Sequence, residues 1–241
     1  MRQWNNVRAL LWLANAAALA AMIGFAMPFY GRLLLGLWLA AGTMYVHREE
    51  RRRRRLESDQ HLIRTLSHHR HDWMNELQVL YGYIRLKKYE KLQDYVDKIK
   101  ATVMQESFIS KLGDPELVAY LLSFRVDKRN MALEVDIEQE IDLPAMPLQT
   151  ALTARLIRET IDIFDSFAMS GEGEPNVLSL SVDVEENQLL LDYVYQGSYD
   201  ENGLRTAIAG KLKAYATCAP QEESEYSEER AVVTIRLPFR G

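Results

Sequence analysis

Residues 66–91 read LSHHRHDWMNELQVLYGYIRLKKYEK. Leu66, His69, Trp73, Leu77, Leu80 and Ile84 recur at steps of three and four, the period of one helix face. Leu62 carries the same seam upstream, so the spacing predicts a helix over residues 56–86. Ser58 is a possible cap near its start, unless the helix runs on from the segment before it. The pattern breaks around LKKYE and resumes over residues 90–111 through Leu92, Tyr95, Val96, Ile99 and Val103. Two amphipathic helices on a short connection make an antiparallel hairpin. Such a hairpin buries little alone, and a second copy completing a four-helix bundle is its simplest partner.

Three histidines crowd the first helix: His68, His69 and His71, with His61 just upstream and His47 the fifth in the chain. At 100° per residue, His71 lies about 200° from both His69 and Trp73, so it points away from the seam. His68 and Asn75 share its face. Asp72 follows it directly. A neutral imidazole nitrogen on a rigid helix is a good nucleophile toward phosphorus, and Asp72 can fix its tautomer through the other nitrogen. Asn75 can hydrogen-bond a phosphoryl oxygen, and Arg70 can neutralise phosphoryl charge. His69 reads as a seam residue, and His68 and His61 as surface. His68 and His71 sit three apart on one face, but no third metal ligand is evident.

Upstream, Ala9 to Met27 is 19 residues without a charge, close to the ~20 that cross a bilayer as a helix. Pro28 and Gly31 signal a turn. Leu33 to Val46 is apolar again for 14 residues. This predicts a transmembrane hairpin within residues 1–55. Arginines flank both ends: Arg2 and Arg8 before it, Arg48 and Arg51 to Arg55 after it. Arginine excess marks the cytoplasmic side, so both ends face the cytoplasm and the body lies there. The apolar region is too long for a cleaved signal peptide. Residues 1–55 hold nine arginines against two glutamates, leaving −12 on the other 186 residues of a chain with net charge −5. A basic surplus confined to one end argues against general nucleic-acid binding, and beside a membrane segment it fits anionic lipid. The single cysteine, Cys218, excludes an internal disulfide and a four-cysteine metal site.

Downstream, Gly113 closes the second helix and Asp114-Pro115 opens a third, expected to run to about Lys128. Alternation then takes over: Leu133, Val135, Ile137; Leu178, Leu180, Val182; residues 189–195; residues 231–237. Helices are expected at about 147–169 and 204–216. Residues 113–241 therefore read as an α+β sandwich with a mostly antiparallel sheet and helices on one face. Residues 56–112 are the dimerisation hairpin.

RHDWMNELQVLYGYIRLKKYEKLQDYV, residues 70–96, strongly resembles the phosphoacceptor hairpin of the sporulation initiation phosphotransferase B family, a relative of the sensor histidine kinases. The match includes RHDWMN, the following LQ, the YGY position and LKKY at the turn. The order of elements behind the hairpin agrees too. The resemblance implies a phosphoryl group passed from one response-regulator aspartate to His71 and on to a second regulator's aspartate, with Arg70, Asp72 and Asn75 around it. It implies a homodimer and a C-terminal domain like a degenerate histidine-kinase ATPase domain. The familiar members lack a membrane hairpin, so residues 1–55 look like an addition.

A kinase of that kind needs three ATP features, and all are missing. The 147–169 helix has no Asn, with Ile163 in the place of the one that holds Mg²⁺. The adenine loop is reduced to Gly197, with Tyr195 and Tyr199 where Asp and the second Gly belong. No glycine falls between Lys211 and Arg240, and a backbone cradle for phosphates needs glycines. The expectation is a membrane-anchored phosphorelay phosphotransferase with no cofactor of its own, the regulator supplying Mg²⁺. Two rivals remain: a membrane sensor kinase with a divergent ATP site, and a non-catalytic dimer that holds regulators.

Overall fold

The structure, a computed structural model, describes residue 16 and residues 28–126, 129–169 and 175–239. The chain divides into two compact units, residues 1–67 and 68–241. Helix α1 spans Phe29–Arg85, and its residues up to 67 belong to the first unit. Pro28 and Gly31, read as a turn, begin this helix: the Gly31 N–H donates to the Pro28 carbonyl at 2.9 Å. No proline follows to interrupt it, so the helix is continuous past Ser58. Of the expected membrane hairpin, Ala9–Met27 lies outside the described residues apart from residue 16. The second arm, Leu33–Val46, is the opening of α1. Among the described residues no helix is long and apolar enough to cross a membrane, since the apolar run gives way at His47 well short of ~20 residues.

In the second unit, α1 ends in a left-handed residue, Lys87 at φ 55°. The Lys88 N–H reaches back to the Tyr83 carbonyl and that of Lys87 to Ile84, both at 3.0 Å, which closes the helix. Helix α2, Tyr89–Ser110, returns alongside, with Tyr83 and Tyr95 edge to face at 5.6 Å. Its last turn enters the core of the following domain, where Ile109 and Leu112 are buried. One turn earlier the Gln105 side chain clamps a sheet edge. Its Nε2 donates to Asp136 Oδ1 at 2.7 Å and its Oε1 accepts from the Ile137 N–H at 2.9 Å.

Helix α3, Pro115–Ser123, starts as its sequence signal implies: the Asp114 carboxylate accepts from the Leu117 N–H at 2.8 Å. It stops earlier than expected, in a 3₁₀ turn over Phe124–Val126. The domain carries strands β1 (Ala132–Ile137), β2 (Val177–Glu185), β3 (Gln188–Gln196), β4 (Gln221–Ser227) and β5 (Arg230–Pro238). They form one sheet in the order β1-β2-β3-β5-β4. Only β1 and β2 pair in parallel, with Leu133 opposite Leu178 and Val135 opposite Leu180. Helices α4 (Thr150–Phe167) and α5 (Glu201–Ala214) supply Leu156, Ile161, Phe164, Leu204 and Ile208 to the core with Leu180, Leu191, Tyr193 and Ile235. The α+β expectation holds. Strand β4 was not foreseen: QEESEYS is an edge strand, exposed nearly throughout, and lacks the apolar alternation that marks its neighbours.

Candidate functional site

His71 projects from α1 with 73% of its side chain exposed. Its Nδ1 lies 3.2 Å from Asn75 Nδ2, one turn on. Asp72 Oδ1 is 3.8 Å from the same nitrogen, outside hydrogen-bond range. The structure therefore puts Asn75 at the ring nitrogen that the sequence reading gave to Asp72. The amide, one turn along the same face, holds the ring, while the carboxylate stands beside it as a charge. An amide can offer either its oxygen or its nitrogen. As placed, the amide Nδ2–H donates to Nδ1; turned over, the amide oxygen would accept from Nδ1–H and leave Nε2 a lone pair directed away from Asn75. Arg70 and His68 are exposed on either side.

His69 turns the other way, as a seam residue should, and is 26% exposed on its side chain. It faces Glu106 of α2, with Nδ1 and Oε1 4.0 Å apart. Between the helices lies a cavity of about 70 Å³ lined by His69, Asp72, Trp73, Glu76, Val103 and Glu106 among others. Asp72 thus has one side toward His71 and one toward this cavity. Glu76 faces Tyr95, and its hydrogen bond pushes the phenol up to about 12. Among the described residues no group of three or more His, Cys, Asp or Glu side chains is placed to hold a metal ion. The Gln105 clamp and the His69–Glu106 pair escaped sequence reading, because their partners lie more than 30 residues apart with no local pattern to join them.

At two of the three missing ATP features the positions are occupied by side chains in or against the core. Tyr195 stacks on Phe164 at 5.9 Å and meets Tyr199 edge to face at 5.5 Å. Gly197, at φ 132°, has Asn176 where a Cβ would go. Ile163 packs against the hydrophobic core. Glu159 of α4 accepts from Tyr215 at 2.6 Å and pairs with Lys211 of α5 at 3.3 Å, tying the two helices together.

The family described as the sensor kinase SpoOB-type alpha-helical domain matches residues 51–112, the segment that carries His71 and the hairpin. Sporulation initiation phosphotransferase B of Bacillus subtilis (strain 168) is 34% identical over 140 residues, covering 57% of this chain and 71% of that protein. The chain belongs to the sporulation initiation phosphotransferase B family. Solved histidine kinases overlap it loosely. The kinase AdeS of Acinetobacter baumannii is 14% identical with a TM-score of 0.35, over 71% of this chain and 98% of that one. The histidine kinase ThkA in complex with the response regulator TrrA is 14% identical with a TM-score of 0.37, over 82% and 67%.

Proposed function

We propose that this family member is a phosphorelay histidine phosphotransferase of the sporulation pathway, working between response-regulator receivers. The observation that carries the reading is the exposed His71 ring, oriented by Asn75, inside the hairpin that the family shares. His71 Nε2 attacks the phosphorus of a regulator's aspartyl phosphate. The N–P bond forms as the P–O bond to that carboxylate breaks, and an acceptor aspartate reverses the step. Catalysis is largely alignment of nucleophile and phosphoryl group. Asp72, unable to bond the ring at its present distance, favours positive charge on it as phosphorus is attacked. Arg70, the exposed residue before His71, would neutralise charge on a phosphoryl oxygen. Mg²⁺ would arrive in the regulator's acidic pocket, with no cofactor held by this chain. The tyrosine-filled core at Tyr195 and Tyr199 supports transfer over ATP-dependent phosphorylation.

The active unit in this proposal is a homodimer whose hairpins form a four-helix bundle. Leu66, Trp73, Leu77 and Ile84 of α1 and Val96 and Val103 of α2 are exposed in the single chain, which supports it. The proposal also attaches the protein to the bacterial cell membrane through residues 9–46, with its body in the cytoplasm. The uncharged run Ala9–Met27 and its flanking arginines support that attachment. The test is a two-step assay with purified receivers: label should leave a phosphorylated donor, appear on His71 and pass to an acceptor. No label on this chain would retire the proposal, and stoichiometric labelling from Mg²⁺-ATP alone would replace it with a kinase.

A further inference from the structure

The opening of α1 carries a face that the transfer chemistry does not use. Tyr30, Leu33, Leu34, Leu37 and Met44 lie within about 60° of Leu37 at 100° per residue, with Trp38 and Tyr45 on the flank. All are exposed, with Leu34, Leu37 and Met44 at 67, 60 and 61%. The opposite side is the packed one: Val46, half a turn from Leu37, is 5% exposed. Continuing along the helix, Arg48, Arg51 and Arg52 fall in the same sector as the leucines and are exposed. Glu49 and Glu50 fall outside it. One face is therefore apolar for about 22 Å, at 1.5 Å per residue, and then basic without a change of side.

We infer that this face binds an anionic lipid surface, with the leucines and aromatics in the acyl boundary and Arg48, Arg51 and Arg52 on headgroup phosphates. The inference rests on the membrane attachment proposed above and adds the lipid class and the side of the helix that selects it. Charge decides the occupant. A second copy paired in parallel through this face would set arginine against arginine, and paired antiparallel would set arginines on leucines. A nucleic acid would take the arginines and leave the apolar stripe in water. An anionic bilayer satisfies both halves in the order in which they occur, since Arg at the interface with Tyr and Trp near it is a stable arrangement.

The experiment uses the full chain, diluted from detergent onto vesicles of phosphatidylcholine with or without phosphatidylglycerol and read by co-flotation. Preference for the anionic vesicles is expected, weakening as salt is raised. The triple variant Arg48→Gln, Arg51→Gln, Arg52→Gln should lose that preference by about 10²-fold, about fivefold per arginine. It should still float with neutral vesicles and still accept label at His71. Leu34→Ser with Leu37→Ser should lower flotation with both vesicle types. Equal flotation of the wild type with neutral and anionic vesicles overturns the lipid selection and leaves attachment standing. Flotation with neither overturns both. Duplex DNA binding lost in the arginine variant, or self-association without vesicles lost in the leucine variant, would assign the face to another occupant and overturn the inference.

Discussion

His71 and its neighbours divide into groups that act on the ring and groups that act on the helix pair, and single substitutions separate them. His71→Ala should abolish label on the protein. The side chain is 73% exposed, so folding stability should shift by no more than about 0.5 kcal/mol. Asn75→Ala removes the group at Nδ1, freeing the ring to rotate, and should slow transfer more than Asp72→Asn, which removes a charge 3.8 Å away. A loss of about 10²-fold for Asn75→Ala matches the removal of a group that orients the nucleophile. His68→Ala should transfer near the wild-type rate. His69→Ala should instead lower thermal stability, since it removes a ring between α1 and α2 beside Glu106. The readout is the rate of loss of label from a donor receiver, with mass spectrometry locating the phosphohistidine. Label on His68 or His69 would refute the assignment.

Helix termini and ties govern the next scale. Lys87 sits at φ 55°, a left-handed position that costs a Cβ-bearing residue about 1 kcal/mol or more. Lys87→Gly should therefore stabilise the second unit by about 0.5–1 kcal/mol in urea unfolding, and a decrease would show that the closing bonds depend on the lysine. At the α4–α5 junction, burial alone would raise the Glu159 carboxyl. Hydrogen bonds from Tyr215, Arg155 and Lys211 outweigh it and hold the group below the usual glutamate range. A depressed acid adds stability above its unfolded value, near 4.3, and loses it as pH falls through the folded value. Glu159→Gln should accordingly destabilise the fold at pH 7 and flatten its loss of stability below about pH 4. An unchanged acid limb would place the junction's strength elsewhere. Neither tie was legible in sequence. The hairpin was, because its apolar period is unbroken, and so was Asp114-Pro115, because a cap is a local signal. Sequence stopped at β4, whose glutamates hide an edge strand, and at the start of α1, because Pro28 and Gly31 can open a helix as readily as turn a chain. At the site the face of His71 followed from helical geometry. That Asn75 rather than Asp72 sits at the ring nitrogen did not, because it depends on side-chain angles rather than spacing.

For the whole molecule, the question is what covers the α1–α2 hairpin. Trp73, Leu77 and Ile84 are 48, 54 and 51% exposed, and Val96 and Val103 extend that surface onto α2. Burying such a patch favours association by about 25 cal/mol per Å² of apolar area, so a monomer that leaves it in water should be the minor species. A chain of residues 56–241 lacks the proposed membrane segment but keeps the hairpin and the Gln105 clamp. It should therefore be a dimer by light scattering at micromolar concentration. Leu77→Asp places a charge in the middle of the patch without touching His71. It should give monomers that remain folded by circular dichroism, because Leu77 is not part of the sandwich core, which begins at Ile109. Should the monomers still accept label while failing to pass it on, the bundle would be needed for the second transfer alone. A wild-type chain that stays monomeric at ~50 µM, well above the concentrations at which specific dimers form, would refute the bundle.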